Sequence, residues 1–208
     1  MNKPIVTIID DEPDVRAAIG LLLKSVGHEV QVFESAQEYW AQFDPDLPGC
    51  LILDVRMPGI SGIELQDQLN RLDYHPPIIM ISGHGEIPMA VQAVQSGAID
   101  FLQKPFSDQV LLERVGQALT QDKQNRTALK NLKVLKERYE KLTSRELEVL
   151  NGIAQGKLNK IIAADLEVST RTIEIHRAHV MEKMEAKSLS SLMRCVSALE
   201  EKGLFTCN

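Results

Sequence analysis

Cys50-Leu51-Ile52-Leu53, followed at once by Asp54 and then by Met57-Pro58-Gly59, constrains this chain more than any other stretch. An unbroken apolar run of that length before a turn signal suits a strand covered on both faces, hence a sheet with helices on either side. Asp54 falls where the strand would end, at the carboxyl edge where open α/β sheets keep their chemistry. Alone, Asp54 also reads as an ordinary loop aspartate. The other strand ends separate the two readings.

Ile5-Val6-Thr7-Ile8-Ile9 is a β-rich run that ends in Asp10-Asp11-Glu12. Pro13 suits the first turn of a helix continuing through Val15, Ile19 and Leu23 to Gly27. Glu29 to Phe33 alternates as an edge strand does, and Ser35 can cap a short helix holding Tyr39, Trp40 and Phe43. Ser61 can cap the helix after the central strand. Pro77 to Ile81 is a fourth strand ending at Ser82-Gly83, with a helix from about Pro88 to Gln95 beyond it. Ile99 to Leu102 is a short fifth strand before Lys104-Pro105, and Asp108 is placed to cap a fifth helix through Leu111, Leu112, Val115 and Leu119. Five strands alternating with helices predict a doubly wound parallel sheet within residues 1–120.

Parallel strands bring Asp10, Asp11, Asp54, Ser82 and Lys104 to one rim. Clustered carboxylates raise one another's pKa unless a cation joins them, and magnesium suits oxygen ligands while keeping water and phosphate oxygens in its shell. A hydroxyl and a lysine opposite could hold phosphoryl oxygens. Each residue has a plainer role, such as Asp10 or Asp11 as a helix cap or Lys104 as a solvated charge, but the five together describe a site for moving a phosphoryl group to an aspartate.

The acidic pair Asp10-Asp11, Asp54 with Met57-Pro58-Gly59, Ser82-Gly83 and Lys104-Pro105-Phe106 resemble the receiver domain of two-component response regulators over residues 4–120. The resemblance implies strand order 2-1-3-4-5, a flavodoxin-like arrangement, and a cis Lys104-Pro105 bond. It implies Asp54 as phosphoacceptor from a sensor histidine kinase. Mg2+ would be held by Asp11 and Asp54, by Asp10 through water, and by the Arg56 backbone carbonyl. Ser82 and Lys104 would bind phosphoryl oxygens, with Ser82 and Phe101 as switch residues. Phe101 stands where such domains often have Tyr, so it can swing inward but cannot form a hydroxyl hydrogen bond. Dimerisation on phosphorylation through Gly85–Gln95 and Ile99–Leu119 is expected.

Charge divides the chain. Residues 1–120 carry a balance of −10 and residues 121–208 one of +4, which suggests two modules with different partners. Cys50, Cys195 and Cys207 show no metal-ligand spacing, and no segment approaches the ~20 apolar residues of a membrane span, so a cytoplasmic protein with reduced thiols is expected. From Gln117 to Asn151 there is no Gly or Pro, while Leu129, Leu132, Leu135, Tyr139 and Leu142 recur at helical spacing. Residues 121–138 therefore read as a helical linker continuing out of the first domain, either pairing with a second copy or serving as a solvated spacer.

Residues 139–208 predict four short helices. Thr143-Ser144-Arg145-Glu146 reads as a capping box, Asn159 can cap the second helix, Ser169 the third and Ser188 the fourth. A tight turn at Glu167-Val168 between the middle pair gives a helix-turn-helix. On the third helix Ile173, Val180 and Met184 share an apolar face. Glu174, Ile175 and Ala178 lie opposite, where an early exposed residue in a major groove can read base edges. Lys160, Thr170, Arg171, Thr172 and Lys183 are better placed for phosphate, which positions without specifying. Arg177 flanks this face, and His176 beside it reads as a packing or phosphate residue.

Leu142-Thr143-Ser144-Arg145-Glu146, Gly156, Asn159-Lys160, Ile162-Ala163, Thr172-Ile173-Glu174, His176-Arg177 and Lys183-Met184 resemble the LuxR-type DNA-binding domain. Receiver plus this module resembles the FixJ/NarL class of transcription regulators. That implies double-stranded DNA with paired half-sites as a partner, with RNA polymerase as a further one. Two rivals remain at this level. Phosphatases with an aspartyl-phosphate intermediate usually carry a second acid two positions after the nucleophile, where this chain has Arg56. A receiver that only binds would lack acceptor chemistry, yet Asp54 and Lys104 are both present. The expected protein is thus not an enzyme with a separate substrate, although the receiver promotes its own phosphorylation and dephosphorylation.

Overall fold

The computed structural model describes residues 3–83 and 87–206. The chain divides into two compact units, 1–126 and 127–208. In the first, β1 (Ile5–Ile9), β2 (Glu29–Phe33), β3 (Gly49–Asp54), β4 (Ile78–Ser82) and β5 (Asp100–Gln103) form one sheet in the order β2-β1-β3-β4-β5. All four pairings are parallel, as the sequence predicts. Every residue of β3 and β4 is buried, which is why both read as unbroken apolar runs.

Helices α1 (Pro13–Ser25), α2 (Ala36–Ala41), α3 (Gly62–Leu69), α4 (Ile87–Gln95) and α5 (Asp108–Tyr139) follow the strands in turn. Apolar side chains form one layer on each face of the sheet: one around Ile9, Leu53, Leu65 and Met80, the other around Ile8, Ile52, Ile81 and Leu111. Pro13 begins α1, and the Ser35 and Ser61 hydroxyls cap α2 and α3. At α5 the cap differs from the expectation for Asp108: the Ser107 hydroxyl accepts from the Val110 N–H, and Asp108 is already helical. Gly85, the expected start of the dimer face, lies outside the described residues, as does Cys207.

The expected helical linker 121–138 is helical and continues out of the first unit, in keeping with the absence of Gly and Pro from Gln117 to Asn151. It is the continuation of α5, and its ends belong to different units: Asp122 is buried in the first, Leu135 in the core of the second.

The second unit holds α6 (Ser144–Ala154), α7 (Asn159–Asp165), α8 (Thr170–Lys183) and α9 (Leu189–Glu200) around Val149, Ile162, Ile173, Val180, Met184 and Leu192. Thr143 forms the expected capping box with Glu146, and Ser169 and Ser188 cap α8 and α9. Asn159 does not cap α7. The capping position is Leu158, without a side-chain hydrogen bond, and Asn159 is the first helical residue. Glu167 takes a positive φ of 55° in the turn between α7 and α8, and the Val168 N–H closes that turn on the Ala163 carbonyl.

Among the described residues, no helix is long and apolar enough to cross a membrane.

Candidate functional site

The polar residues at the carboxyl ends of β1, β3, β4 and β5 converge as parallel pairing requires. Asp10 follows β1 and is fully buried; Asp54 ends β3 and is buried; Ser82 ends β4 and is buried. The Lys104 N–H donates to the Ser82 carbonyl at 2.8 Å, which brings the lysine beside the hydroxyl's own strand end. The peptide bond between Lys104 and Pro105 is cis, as the resemblance implies.

The Lys104 ammonium lies 2.7 Å from Asp10 Oδ2, 2.7 Å from Asp54 Oδ1 and 3.3 Å from Glu12 Oε1. The Arg56 N–H donates to Asp54 Oδ2 at 2.7 Å, so each oxygen of Asp54 has a donor. Asp10 is held by its neighbours in turn: its Oδ1 accepts from the Glu12 N–H and its carbonyl from the Arg16 guanidinium. Gly62 lets α3 start against the end of β3, since a Cβ there would stand 2.1 Å from the Asp54 carbonyl oxygen.

Electrostatics at this rim are unbalanced. Burial raises the Asp54 pKa, hydrogen bonding and charge from Lys104 lower it, and the Asp10 charge raises it again; the net direction is upward. Burial alone would lower the Lys104 pKa, but its hydrogen bonds to Asp10 and Asp54 hold it above the usual lysine range. The rim can therefore accommodate more positive charge than one lysine supplies. Its buried donors are carboxylate oxygens, the type that a hard divalent cation takes, and the acids fit magnesium in kind. Among the described residues no three acids form a ready metal-holding group; Asp11 is exposed, and Lys104 takes the position between Asp10 and Asp54.

Glu12 was absent from the sequence-derived site. Its signal was position: it is two residues beyond Asp10, in the same acidic run. Arg56 also reaches Met89 of α4, its guanidinium 3.9 Å from the sulfur. Phe101 on β5 is half-buried and packs against the layer containing Met89.

In the second unit, α8 presents Arg171, Glu174, Ile175 and Ala178 to solvent over a buried face of Ile173, Val180 and Met184. Lys160 and Thr170 are exposed and Thr172 is half-exposed. Arg177 is half-buried, its guanidinium donating to Asn159 Oδ1 at 3.1 Å. Lys183 departs from its expected phosphate role: its ammonium donates to Glu146 Oε2 at 2.6 Å, and that carboxylate is buried. A buried carboxylate with a lysine this close keeps it, because losing the partner leaves a desolvated charge.

Comparison with known proteins agrees with this geometry. A family model described as the response regulator receiver domain matches residues 6–116, and one for bacterial regulatory proteins of the luxR family matches residues 140–196. The chain is 45% identical to Nodulation protein W of Bradyrhizobium diazoefficiens over 198 residues, covering 95% of this chain and 87% of that protein. It is 42% identical to the transcriptional regulatory protein FixJ of Rhizobium meliloti over 199 residues, covering 95% and 97%. The solved structure of response regulator StyR matches with a TM-score of 0.83 and 41% identity, covering 94% of this chain and 99% of that one. With a receiver sheet that carries Asp54 and a LuxR-type helix-turn-helix following it in the sequence, the chain belongs to the two-component response regulators.

Proposed function

We propose that Asp54 accepts a phosphoryl group from the phosphohistidine of a sensor kinase, and that this phosphorylation drives dimerisation and binding to paired half-sites in double-stranded DNA. The observation that carries the reading is Lys104, whose ammonium joins Asp10 and Asp54, two buried acids from different strand ends. In the transfer, an Asp54 carboxylate oxygen forms a P–O bond as the P–N bond of the phosphohistidine breaks. The imidazole keeps that electron pair and takes up a proton. Asp11 and Asp54, with Asp10 through water and the Arg56 backbone carbonyl, would hold magnesium, whose charge neutralises the transferring oxygens. Lys104 leaves its carboxylates for one phosphoryl oxygen, and the Ser82 hydroxyl donates to another. Movement of Ser82 opens space for Phe101, which repacks the face made by residues 85–95 and 99–119. Ile87, Val91 and Val94 are exposed one helical turn apart along that face, which supports its use as a dimer surface.

Base reading is assigned to Glu174, Ile175 and Ala178, and phosphate contact to Lys160, Thr170, Arg171, Thr172 and Arg177. A cytoplasmic regulator with reduced thiols, acting with RNA polymerase, completes the reading. The test is labelling by a small radioactive acyl phosphate with and without magnesium. Wild type should label and Asp54→Asn should not, since an amide forms no acyl phosphate; acid-stable, hydroxylamine-labile label in the mutant would place the acceptor elsewhere.

A further inference from the structure

Between Leu119 and Leu132 of α5, Asp122 is the one buried residue. The stretch contains Thr120, Asn125, Thr127 and Asn131, weak helix formers, and exposes its other residues apart from half-buried Asn125 and Arg126. A dozen such residues do not hold a helix in water by themselves. What holds them here is polar. Asp122 accepts from the Gly49 N–H at 3.1 Å, from the Tyr74 hydroxyl, and from Arg126 Nε at 2.9 Å. The Arg126 guanidinium also donates to the carbonyls of Pro45 and Leu47 and lies 4.9 Å over the Tyr74 ring. Burial and the hydrogen bond to Asp122 push the Tyr74 hydroxyl above the usual tyrosine range, so it stays a donor.

Gly49 opens β3, the strand that ends in Asp54, so this cluster sits on the rim opposite the phosphoacceptor. It fastens the loop before β3, the segment before β4 and the outgoing helix to one another. None of these residues belongs to the phosphoryl chemistry.

We propose that Asp122, Arg126 and Tyr74 form a clamp that keeps α5 helical as it leaves the receiver, and that output of the phosphorylated state requires this clamp. A frayed segment delivers no displacement to the chain beyond it, whereas a clamped helix moves as one body. The helical half of this inference stands on geometry alone; the output half rests on the proposed function.

The experiment compares the full-length protein with Asp122→Ala, Arg126→Gln and the milder Tyr74→Phe by hydrogen exchange and by DNA binding with and without a small acyl phosphate. Loss of a charge-assisted hydrogen bond corresponds to roughly tenfold or more in a local opening equilibrium. Exchange across residues 120–131 should rise by about that factor in Asp122→Ala and Arg126→Gln, less in Tyr74→Phe, while β3 and β4 stay protected. Labelling of Asp54 should equal wild type, and the phosphate-dependent gain in DNA affinity should fall in the same order as the exchange. Unchanged exchange at 120–131 overturns the clamp. Raised exchange with a full phosphate response overturns its role in output. Absence of labelling in the wild type itself would instead overturn the phosphoacceptor reading and leave the exchange result to stand or fall alone.

Discussion

Asp54 and Glu146 are both buried carboxylates with a lysine ammonium within 2.7 Å, one in each unit, yet their proton affinities move in opposite directions. Asp54 is pushed up, because its burial is joined by the charge of Asp10 and the single ammonium of Lys104 is divided among three acids. Burial also opposes ionisation of Glu146, but Lys183 and the Thr143 N–H and hydroxyl outweigh it and lower the pKa to about 2. The second site is a finished structural bond. The first is under-neutralised, and a carboxylate short of positive charge is suited to receive a cation and a phosphoryl group.

The largest expected effect breaks the first site. Lys104→Ala leaves Asp10 and Asp54 buried without their shared cation, so the Asp54 pKa should climb further above its already raised position. Labelling by a small phosphodonor should then fail at a higher pH than in wild type as the solution is acidified, because the nucleophile is the ionised form. Label that does form should no longer produce a dimer. Phosphate-dependent dimerisation at wild-type strength, read by sedimentation, would contradict the role given to Lys104.

Next in size is the structural site. Because the folded pKa of Glu146 is depressed from 4.5 to about 2, its contribution is fully present above the ordinary carboxylate range and is lost as pH falls through that interval. Glu146→Gln should cost roughly 2 kcal/mol at neutral pH, in line with the loss of hydrogen bonds to a charged group. It should also flatten the acid limb of amide protection in residues 144–200. An acid limb as steep as wild type would assign the pH dependence to other groups.

The contrast also explains what the sequence could show. β3 and β4 were legible because burial on both faces writes itself as consecutive apolar residues, and the rim followed from parallel topology. Hydroxyl caps at Ser35, Ser61, Thr143, Ser169 and Ser188 were legible because a cap acts within three residues of itself. Pairings across long separations were not. Lys183 finds Glu146 from 37 residues away, and Asp122 finds Gly49 from 73, so one read as a phosphate contact and the other only as part of a helical linker. Ser107 and Asp108 are adjacent acceptors, and only backbone geometry decides which of them caps α5.

A smaller effect concerns α8, where exposed and engaged side chains should separate in function. Glu174→Ala should relax base preference in each half-site by roughly 1–3 kcal/mol of discrimination. Lys160→Ala should weaken cognate and scrambled sites alike and make the salt dependence shallower by about one unit of slope. Both are read in one titration series over several salt concentrations, with the protein phosphorylated throughout. Equal loss at both sites from Glu174→Ala, with altered preference from Lys160→Ala, would reverse the orientation assigned to α8 in the groove.

The smallest effect tests how far the second unit is finished. Its α6, α8 and α9 begin with a hydroxyl that accepts from the backbone, whereas α7 begins at Leu158, which is 71% exposed and caps nothing. The backbone there, φ −70° and ψ 151°, is already the extended conformation that a capping serine adopts. Leu158→Ser therefore sacrifices almost no burial and supplies an acceptor for an N–H of the first turn, while Asn159 keeps its bond to Arg177. The gain should be about 1 kcal/mol, seen as slower amide exchange in residues 159–166. DNA affinity should stay at the wild-type value, because a leucine that is mostly exposed in the free protein gives up little packing when it is replaced. Greater stability with weaker DNA binding would instead make Leu158 a contact residue, its apolar side chain kept at the cost of a cap.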